Sequence, residues 1–277
     1  MSLDEAFQHI IDYIEPNSIF AFALTCSDAW NTVKYLKIKI KTTCMSIVRS
    51  LELIKWAISM GADAHDLSIC AMRSLASTEI LQFFFDLGFS LDSLCDESAY
   101  AGNLPMLQWA RAHECDWDSN TCAYAAEGGN IEVLQWLREN GCPWNEDTCS
   151  GASVGGHLEI LKWARANGCP WDAYCIWESV ARCGHLHVMK WLRENNIPWY
   201  CDAYLYVADT GNIPMLQWMR DNDCYMSSKS IMLRAASNGH LDLLKWEYAH
   251  SNVMYPEVIA YARQQGHLEM LEWAQSI

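Results

Sequence analysis

A motif that recurs at a nearly constant interval constrains the fold of this chain more than any other feature. The motif is Gly-[His/Asn]-[Leu/Ile]-x-x-[Leu/Met]-x-Trp, and 27 or 28 residues separate successive copies, which begin at Gly102, Gly129, Gly156, Gly184, Gly211, Gly239 and Gly266. Degenerate copies ending at Trp56 and Phe83 precede these, and we count about nine copies across residues 46–277. A repeat of this length is typical of a solenoid, in which each unit buries its apolar face only against its neighbours.

Each copy predicts two helices. In the central copy, apolar residues at helical spacing over 158–164 are followed by Gly168, a typical residue just beyond a helix C-terminus. The upstream segment 147–154 begins with Asp147 or Thr148 as an N-cap and is rich in small residues, which allow a neighbouring helix to approach closely. The sequence therefore predicts an all-α solenoid of helix-turn-helix units.

Residues 121–134 (Thr-Cys-Ala-Tyr-Ala-Ala-Glu-Gly-Gly-Asn-Ile-Glu-Val-Leu) resemble the ankyrin pattern, in which a Thr-Pro-Leu-His-x-Ala-Ala helix is followed by Gly-His and a Val/Leu-rich second helix. An ankyrin repeat has about 33 residues, and the roughly five or six residues missing here come from the place of the β-hairpin finger. The resemblance therefore implies an ankyrin-like helix-turn-helix solenoid without the β-hairpin fingers. Short Trp-rich repeats of this kind also resemble repeats encoded in large numbers by giant DNA viruses of amoebae.

Residues 1–45 contain no copy of the repeat, and we interpret them as a separate module ahead of a solenoid at 46–277. Ser2 and Glu5 can form a capping box at the start of a first helix, and two further short helices are predicted after it. Three helices in about 40 residues bury little surface by themselves, so exposed apolar area is expected to need a partner.

This segment resembles an F-box, the motif that docks ubiquitin-ligase substrate receptors onto the Skp-type adaptor of a cullin-RING ligase. The resemblance is carried by Asp4-Glu5, His9-Ile10, Tyr13-Ile14-Glu15-Pro16, Ser18-Ile19, Ala23-Leu24, Cys26 and Trp30. It implies adaptor contacts at Leu3, Ile10, Ile14, Pro16, Ile19 and Leu24. The sequence departs from the family at the start, where Ser2-Leu3 replaces the usual Leu-Pro, and at Trp30, which lies one residue late. The alternative interpretation is a cap that only shields the first repeat.

Function in a solenoid is carried by the positions at which the repeats differ. The ankyrin resemblance places the variable x of the Thr-Pro-Leu-His-x-Ala-Ala helix on the concave surface. The residues at this position, which we call the variable row, are Glu97, Tyr124, Gly151, Ser179, Tyr206, Arg234 and Tyr261. Tyrosine is enriched at binding hot spots. We therefore predict a partner-binding strip made of Glu97, Tyr124, Ser179, Tyr206, Arg234 and Tyr261.

The net charge of −15 arises in the repeats. Residues 50–277 contain 14 Lys and Arg against 29 Asp and Glu, whereas residues 1–49 contain five of each. An acidic solenoid repels phosphate backbones and anionic lipid, and the basic cluster at 34–41 lacks the broad positive face that nucleic-acid binding needs. We therefore expect no nucleic acid and no membrane as partners, and a target protein that carries a basic patch.

Cysteine, histidine and tryptophan occupy repeat positions, which argues against special sites. Two positions account for seven cysteines: Cys115, Cys142, Cys169 and Cys224 at one, and Cys95, Cys122 and Cys149 at the other. Equivalent positions in stacked repeats lie about 10 Å apart, too far for a disulfide. The turn histidines alternate with Asn, a poor transition-metal ligand, and are expected to hydrogen-bond locally. The repeated Trp is predicted to be core or inter-repeat stacking.

The sequence contains no Gly-rich phosphate loop, nucleophile elbow or convergent acid pair. We therefore expect no cofactor, no metal and no catalytic activity. No signal-peptide pattern and no run long enough to span a bilayer is found, so we expect a soluble monomer in the cytoplasm or nucleus, of a host cell if the chain is viral. Two functions stay open, a ligase substrate receptor and a non-ligase scaffold or sequestering module, and binding to a Skp-type adaptor separates them.

Overall fold

The computed structural model describes residues 50–59, 63–200 and 202–276. These residues form seventeen α-helices, and no β-strand occurs among them. In chain order the helices are α1 (Leu51–Ser59), α2 (Ala64–Arg73), α3 (Thr78–Asp86), α4 (Leu94–Tyr100), α5 (Leu104–Ala112), α6 (Ser119–Glu127), α7 (Ile131–Glu139), α8 (Glu146–Val154), α9 (Leu158–Ala166), α10 (Ala173–Cys183), α11 (Leu186–Glu194), α12 (Ala203–Asp209), α13 (Ile213–Asp221), α14 (Ser228–Asn238), α15 (Leu241–Ser251), α16 (Pro256–Gln265) and α17 (Leu268–Gln275).

The helices alternate between two types. The odd-numbered helices contain the repeated Trp, or Phe83 in α3, and we call them second helices; the even-numbered helices precede them across a tight turn, and we call them first helices. Eight complete pairs follow the second helix α1, in agreement with the copies counted in the sequence. The prediction of an all-α helix-turn-helix solenoid is confirmed.

The described residues divide into two compact units. The first unit comprises the described residues up to Glu97 together with Pro105–Asp116, and the second comprises Ser98–Leu104 and the described residues from Trp117 onward. Within the first unit, α2 packs against α3. Within the second unit, each first helix from α6 to α16 packs against the second helix of its own pair, and each from α6 to α14 also packs against the next first helix. A stack of first helices therefore runs through the second unit.

The helix ends follow the expected chemistry with a small shift. In α8 the N-cap is Asn145, whose side chain accepts a hydrogen bond from Asp147 N at 3.1 Å, so the predicted cap at Asp147 or Thr148 was placed two or three residues late. Helix α9 ends at Ala166, and Gly168 follows it with a φ of +82°. This agrees with the prediction that Gly168 lies just beyond the helix C-terminus. No helix among the described residues has the length and apolar character needed to cross a bilayer.

The core of each second helix is formed by aliphatic residues and not by the repeated Trp. In α9, Leu161 and Ala164 are fully buried and Ile160 is nearly so, whereas Trp163 is half-buried. The helical period places these three residues on one side and leaves Trp163 at the edge of that side. Of the two predicted roles of the repeated Trp, core residue or stacking between copies, the core role therefore does not hold, also at Trp136, Trp191, Trp218 and Trp246.

The repeated Trp instead packs against the tryptophan of the preceding connector. Trp144 and Trp163 meet edge to face, with ring centroids 5.9 Å apart and an angle of 67° between the planes. The guanidinium of Arg138 lies 4.2 Å from the centroid of the Trp144 ring. The same ring pairing recurs at Trp117–Trp136, Trp171–Trp191 and Trp199–Trp218. The prediction of stacking between copies is therefore confirmed for these tryptophans.

The turn residue after several of the motif glycines links one helix pair to the preceding pair. His185 Nε2 lies 2.7 Å from the carbonyl oxygen of Val154, the last residue of α8. A Cβ on Gly156, where φ is +73°, would lie 2.5 Å from the His185 ring. In the same way, Asn130 Nδ2 donates to Tyr100 O at 2.8 Å. The expectation of local hydrogen bonds holds at Asn212, whose Oδ1 accepts from Met215 N at 3.1 Å. It is wrong at His185 and Asn130, which cap the last carbonyl of a preceding first helix, a group with no intrahelical partner.

Several predictions fall on residues outside the described ranges. They are the boundary between 1–45 and 46–277, the F-box-like helices, the basic cluster at 34–41 and the adaptor-contact residues Leu3, Ile10, Ile14, Pro16, Ile19 and Leu24. These stay predictions.

Candidate protein-interaction surface

The members of the variable row differ in how far they reach solvent. Tyr124 and Tyr261 are 42% and 44% exposed, and Arg234 is also exposed. The half-buried members are Glu97, in the first unit, and Ser179 and Tyr206, in the second. As a partner-binding strip the row stays a prediction, but two of its three tyrosines present large apolar rings to solvent on a regular helical frame.

Tyr206 belongs to a cluster of three tyrosines that the repeat pattern alone does not reveal. The hydroxyl oxygens of Tyr174 and Tyr206 are 3.0 Å apart. The rings of Tyr174 and Tyr200 meet edge to face with centroids 4.5 Å apart. These residues come from α10, from the connector after α11 and from α12. We call Tyr174, Tyr200 and Tyr206 the tyrosine cluster.

An arginine from the preceding first helix lies on this cluster. The guanidinium carbon of Arg182 is 4.4 Å from the centroid of the Tyr206 ring, and its Nε donates to Glu178 Oε1 at 2.8 Å. A cation–π contact and a hydrogen bond to a carboxylate therefore hold the same guanidinium. The hydrogen bond to Tyr206, then desolvation and the charge of Glu178, raise the pKa of Tyr174 above its ordinary value. The cluster is thus a connected network of hydroxyl, carboxylate and guanidinium groups.

The copy that contains Tyr174 has a one-residue insertion. Thr148, at the start of the consensus first-helix sequence, lies four positions after Trp144, whereas the equivalent Ile176 lies five positions after Trp171. Helix α10 has eleven residues, against nine in α6 and α8, because it is longer by one residue at each end. Tyr174 occupies the position of Glu146, the first residue of α8. A tyrosine at this position was the available signal, but the sequence alone does not show which side chains it meets.

Arg234 of the variable row is engaged within the chain. Its Nη1 lies 3.3 Å from both carboxylate oxygens of Asp209, one first helix earlier in the stack, and Asn238 Nδ2 donates to the same carboxylate at 3.2 Å. A similar link joins Lys229 to Glu257 at 2.7 Å. Exposed pairs of this kind stabilise little, so their main effect is to fix side-chain positions on the first-helix face.

The row between Tyr124 and Tyr206 has small side chains. Gly151 is buried, and a Cβ at this position would lie 2.5 Å from the carbonyl oxygen of Ala123 in α6. The backbones of α6 and α8 can approach this closely only because glycine has no side chain. Ser179 follows in α10. The larger rings of Tyr124 and Tyr206 therefore stand at the two ends of a low stretch of the first-helix face.

The two helix types differ in charge. The first helices α6, α8, α10 and α12, counted with their N-caps, contain eight carboxylates and one basic residue, Arg182. The second helices α7, α9 and α11 contain four carboxylates and five basic residues. The net charge of −7 on the first helices, against +1 on the second, places the acidity of this region on the side that carries the variable row.

The second-helix side has a groove of its own, with a volume of about 520 Å³ between two successive copies. Its walls are the Trp144 and Trp163 rings and the side chain of Arg138, and its remaining lining residues are Gln135, Glu139 and Asn167. Because Arg138 also contacts the Trp144 ring and the carbonyl oxygen of Cys142, these groups already hold one copy to the next. The consensus character of the groove favours a structural role.

No disulfide joins the ten described cysteines. The structure brings the two cysteine rows together: the Cys149 and Cys169 thiols interact through a hydrogen bond that shifts their pKa values in opposite directions. Burial raises the pKa of Cys95 to about 12 and that of Cys224 to about 11. No group of three or more His, Cys, Asp or Glu in the described ranges is arranged to hold a metal ion.

Comparisons with known proteins give no family for this chain. No protein-family model matches it, and no curated protein matches it. Among solved structures, it is similar to the pentatricopeptide repeat protein PPR10 from maize, with 13% sequence identity and a TM-score of 0.38. The match covers 94% of this chain and 48% of the maize chain, so this chain spans about half the length of that protein.

Proposed function

We propose that this chain is a protein-interaction scaffold that holds a target protein along its stacked first helices. A helical-repeat solenoid is a fold typical of binding scaffolds. The observation that carries the proposal is the concentration of tyrosines at positions where the copies differ: Tyr124 and Tyr261 in the variable row and the tyrosine cluster at α10 to α12. Tyrosine supplies a large apolar surface and a polar tip, which suits binding hot spots.

We further propose that the scaffold is a substrate receptor of a cullin-RING ubiquitin ligase. Support comes from the F-box-like sequence of residues 1–45 and from the layout of a short docking motif ahead of an interaction solenoid. In this role the N-terminal segment recruits a Skp-type adaptor, and the repeats present the bound target for ubiquitylation. The second candidate is a monomeric, non-ligase module that sequesters its target inside the cell.

Adaptor binding tests the ligase role. We expect the purified chain to bind a Skp-type adaptor at micromolar concentration in isothermal titration calorimetry. The double substitution Pro16→Ala and Ile19→Asp, at the predicted docking bend, should abolish that binding and leave helical content unchanged in circular dichroism. Absence of binding by the unsubstituted chain would remove the ligase role and leave the sequestering module.

Target capture tests the scaffold role separately. Proteins that crosslink to the purified chain in a host-cell extract are identified by mass spectrometry and then purified for binding measurements. We expect Tyr124→Ala and Tyr206→Ala to weaken target binding, because each removes a ring from the first-helix face. The matched control is Tyr225→Ala, since Tyr225 is 84% exposed on the connector between α13 and α14. Equal losses for all three substitutions would contradict the proposed location.

A further inference from the structure

The chemistry of the first helices also indicates the kind of partner they would hold. We infer that the face of α6, α8, α10 and α12 binds an extended basic segment of the target protein, with arginine side chains laid on tyrosine rings beside carboxylates. The inference rests on the proposed scaffold function, because it assigns a chemistry to the partner of the same face.

The chain itself binds cations in this geometry. Arg182 lies over the Tyr206 ring and donates to Glu178 Oε1. Farther along the stack, Lys229 Nζ lies 5.7 Å from the centroid of the Tyr255 ring and 2.7 Å from Glu257 Oε1. In both cases one cation contacts an aromatic face and a carboxylate together. A guanidinium suits this arrangement because its flat, weakly hydrated group can stack on a ring and donate in its own plane.

Tyr124 offers the same two groups with no cation of this chain upon them. Its ring is 42% exposed, and Glu127 lies three residues later on α6, on the same helix face. Within the described ranges, no lysine or arginine lies over the Tyr124 ring. Gly151, its neighbour in the variable row, adds no side chain that could cover it. The ring and the carboxylate are therefore accessible to an arginine from outside.

The distance between the two tyrosine sites sets the length of the segment. Tyr124 and Tyr206 are separated by three steps of the helix stack, and packed helices lie about 10 Å apart, which gives roughly 30 Å. An extended chain advances about 3.3 Å per residue, so roughly nine residues span the two sites. The low stretch at Gly151 and Ser179 leaves room for a backbone between them.

The charge of this face complements a basic segment. The four first helices have a net charge of −7, whereas the second helices α7, α9 and α11 have +1. Near the tyrosine cluster, desolvation and the negative charges of Asp172, Glu178 and Asp147 raise the pKa of the Cys175 thiol. A field of this sign attracts a cationic segment and repels an anionic one.

A labelled peptide of ten residues, (Arg-Gly-Gly)₃-Arg, whose first and last arginines are nine positions apart, tests the inference directly by fluorescence anisotropy with the full chain at low ionic strength. We expect binding that weakens with added salt, and at least about tenfold weaker binding of (Glu-Gly-Gly)₃-Glu. Tyr124→Ala and Glu127→Gln should each weaken binding of the arginine peptide by about fivefold or more. Tyr225→Ala is the control for loss of an exposed tyrosine elsewhere and should change nothing.

Arg182→Ala gives a test in the opposite direction. Removing this side chain uncovers the Tyr206 ring and the Glu178 carboxylate, so the arginine peptide should bind about threefold more tightly. Lys190→Ala removes one positive charge from the second helix α11 and controls for net charge, and it should leave binding unchanged. Circular dichroism melting verifies that each variant is folded.

Two results would overturn the inference. One is equal affinity of the chain for the arginine and glutamate peptides. The other is that the Tyr124→Ala and Glu127→Gln variants bind the arginine peptide as tightly as the parent chain does. If the peptide does not bind while a captured target protein still depends on Tyr206, the inference fails and the scaffold function stands. If no target binding depends on the first-helix tyrosines, both fail.

Discussion

Arg220 Nη2 donates to Glu247 Oε2 at 2.7 Å, and this pair joins the second helices α13 and α15. The Glu247 side chain is 1% exposed and that of Arg220 is 28% exposed. In the sister copies, Leu137, Ala164 and Leu192 occupy the position of Glu247. A buried carboxylate therefore replaces an apolar core residue in one copy only.

The preceding copy, which contains Arg220, lacks the connector tryptophan, and this explains the arrangement. The equivalents of Arg220, such as Arg138 and Arg165, lie over the Trp six residues later, but Met226 stands six residues after Arg220. The Arg220 guanidinium instead lies 4.4 Å from the Trp246 ring centroid. From there it reaches the adjacent Glu247.

Breaking this pair on one side should destabilise the chain strongly. Arg220→Met leaves the Glu247 carboxylate buried without its partner, at a cost of about 3 to 5 kcal/mol. The measurement is the free energy of unfolding in a urea titration followed by tryptophan fluorescence.

Replacing both partners should be nearly neutral. The double variant Arg220→Met with Glu247→Leu restores the apolar character of the sister copies and removes the desolvation cost of both charges, so its stability should lie within about 1 kcal/mol of the parent or above it. A double variant as unstable as Arg220→Met alone would show that the pair is not replaceable by packing.

Leu161→Ala should cost more than Trp163→Ala, although tryptophan is the larger side chain. Leu161 is fully buried, and its truncation leaves a cavity that costs about 3 kcal/mol. Trp163 is half-buried and packs on Trp144 by one ring contact, so its loss should cost about 1 to 2 kcal/mol. The two variants are compared in the same urea titration. A larger loss of unfolding free energy for Trp163→Ala than for Leu161→Ala would show that Trp163 is a core residue.

Gly156→Ala and Gly168→Ala separate two effects of a motif glycine. Both glycines have a positive φ, but a Cβ on Gly156 meets the His185 ring at 2.5 Å, whereas a Cβ on Gly168 has nothing within 4 Å. Gly168→Ala should cost about 1 kcal/mol for backbone strain alone. Gly156→Ala should cost about 2 to 4 kcal/mol, because the ring must move and lose its hydrogen bond to Val154 O.

A double-mutant cycle identifies the cause of the difference. In a His185→Ala background, Gly156→Ala should cost about as much as Gly168→Ala, roughly 1 kcal/mol, since only the backbone strain remains. Thermal melting of the four variants measures the coupling. An unchanged cost in that background would place the strain somewhere other than the ring.

The fold could be predicted because the repeat motif occurs in seven clear copies. Together these copies define the helix pairs, their turns and their order. What escaped prediction lies between copies. The His185 ring reaches the preceding helix 31 residues earlier, and Trp163 packs on Trp144 instead of entering the core. A pattern within one copy defines the face of a helix, but it does not show which side chain of the next copy fills the edge of that face.

The tyrosine cluster shows the same limit at the candidate site. Tyr206 could be selected because the variable row is a sequence property, whereas Tyr174 and Tyr200 become its neighbours only through the packing of α10 against α12 and the path of the connector that precedes α12. The contact between Tyr174 and Tyr206, 32 positions apart in sequence, depends on helix packing, for which one sequence carries no direct signal.

Stability should fall in alkaline solution because buried thiols resist ionisation. Burial raises the pKa of Cys95 to about 12 and of Cys224 to about 11, from an ordinary value of 9.0. Above pH 9 the unfolded chain releases these protons while the folded chain holds them, so the folded state binds more protons and loses stability as pH rises. The stability that the two buried thiols contribute is complete below pH 9 and disappears as pH approaches 11 to 12.

We expect Cys95→Ala and Cys224→Ala each to reduce the slope of unfolding free energy against pH, between pH 9 and 10.5, by at most about 1.4 kcal/mol per pH unit. Leu161→Ala is the control, because it lowers stability without removing a thiol and should leave the slope as it is. Equal slopes in the parent and both cysteine variants would show that these thiols ionise in the folded chain as readily as in the unfolded one.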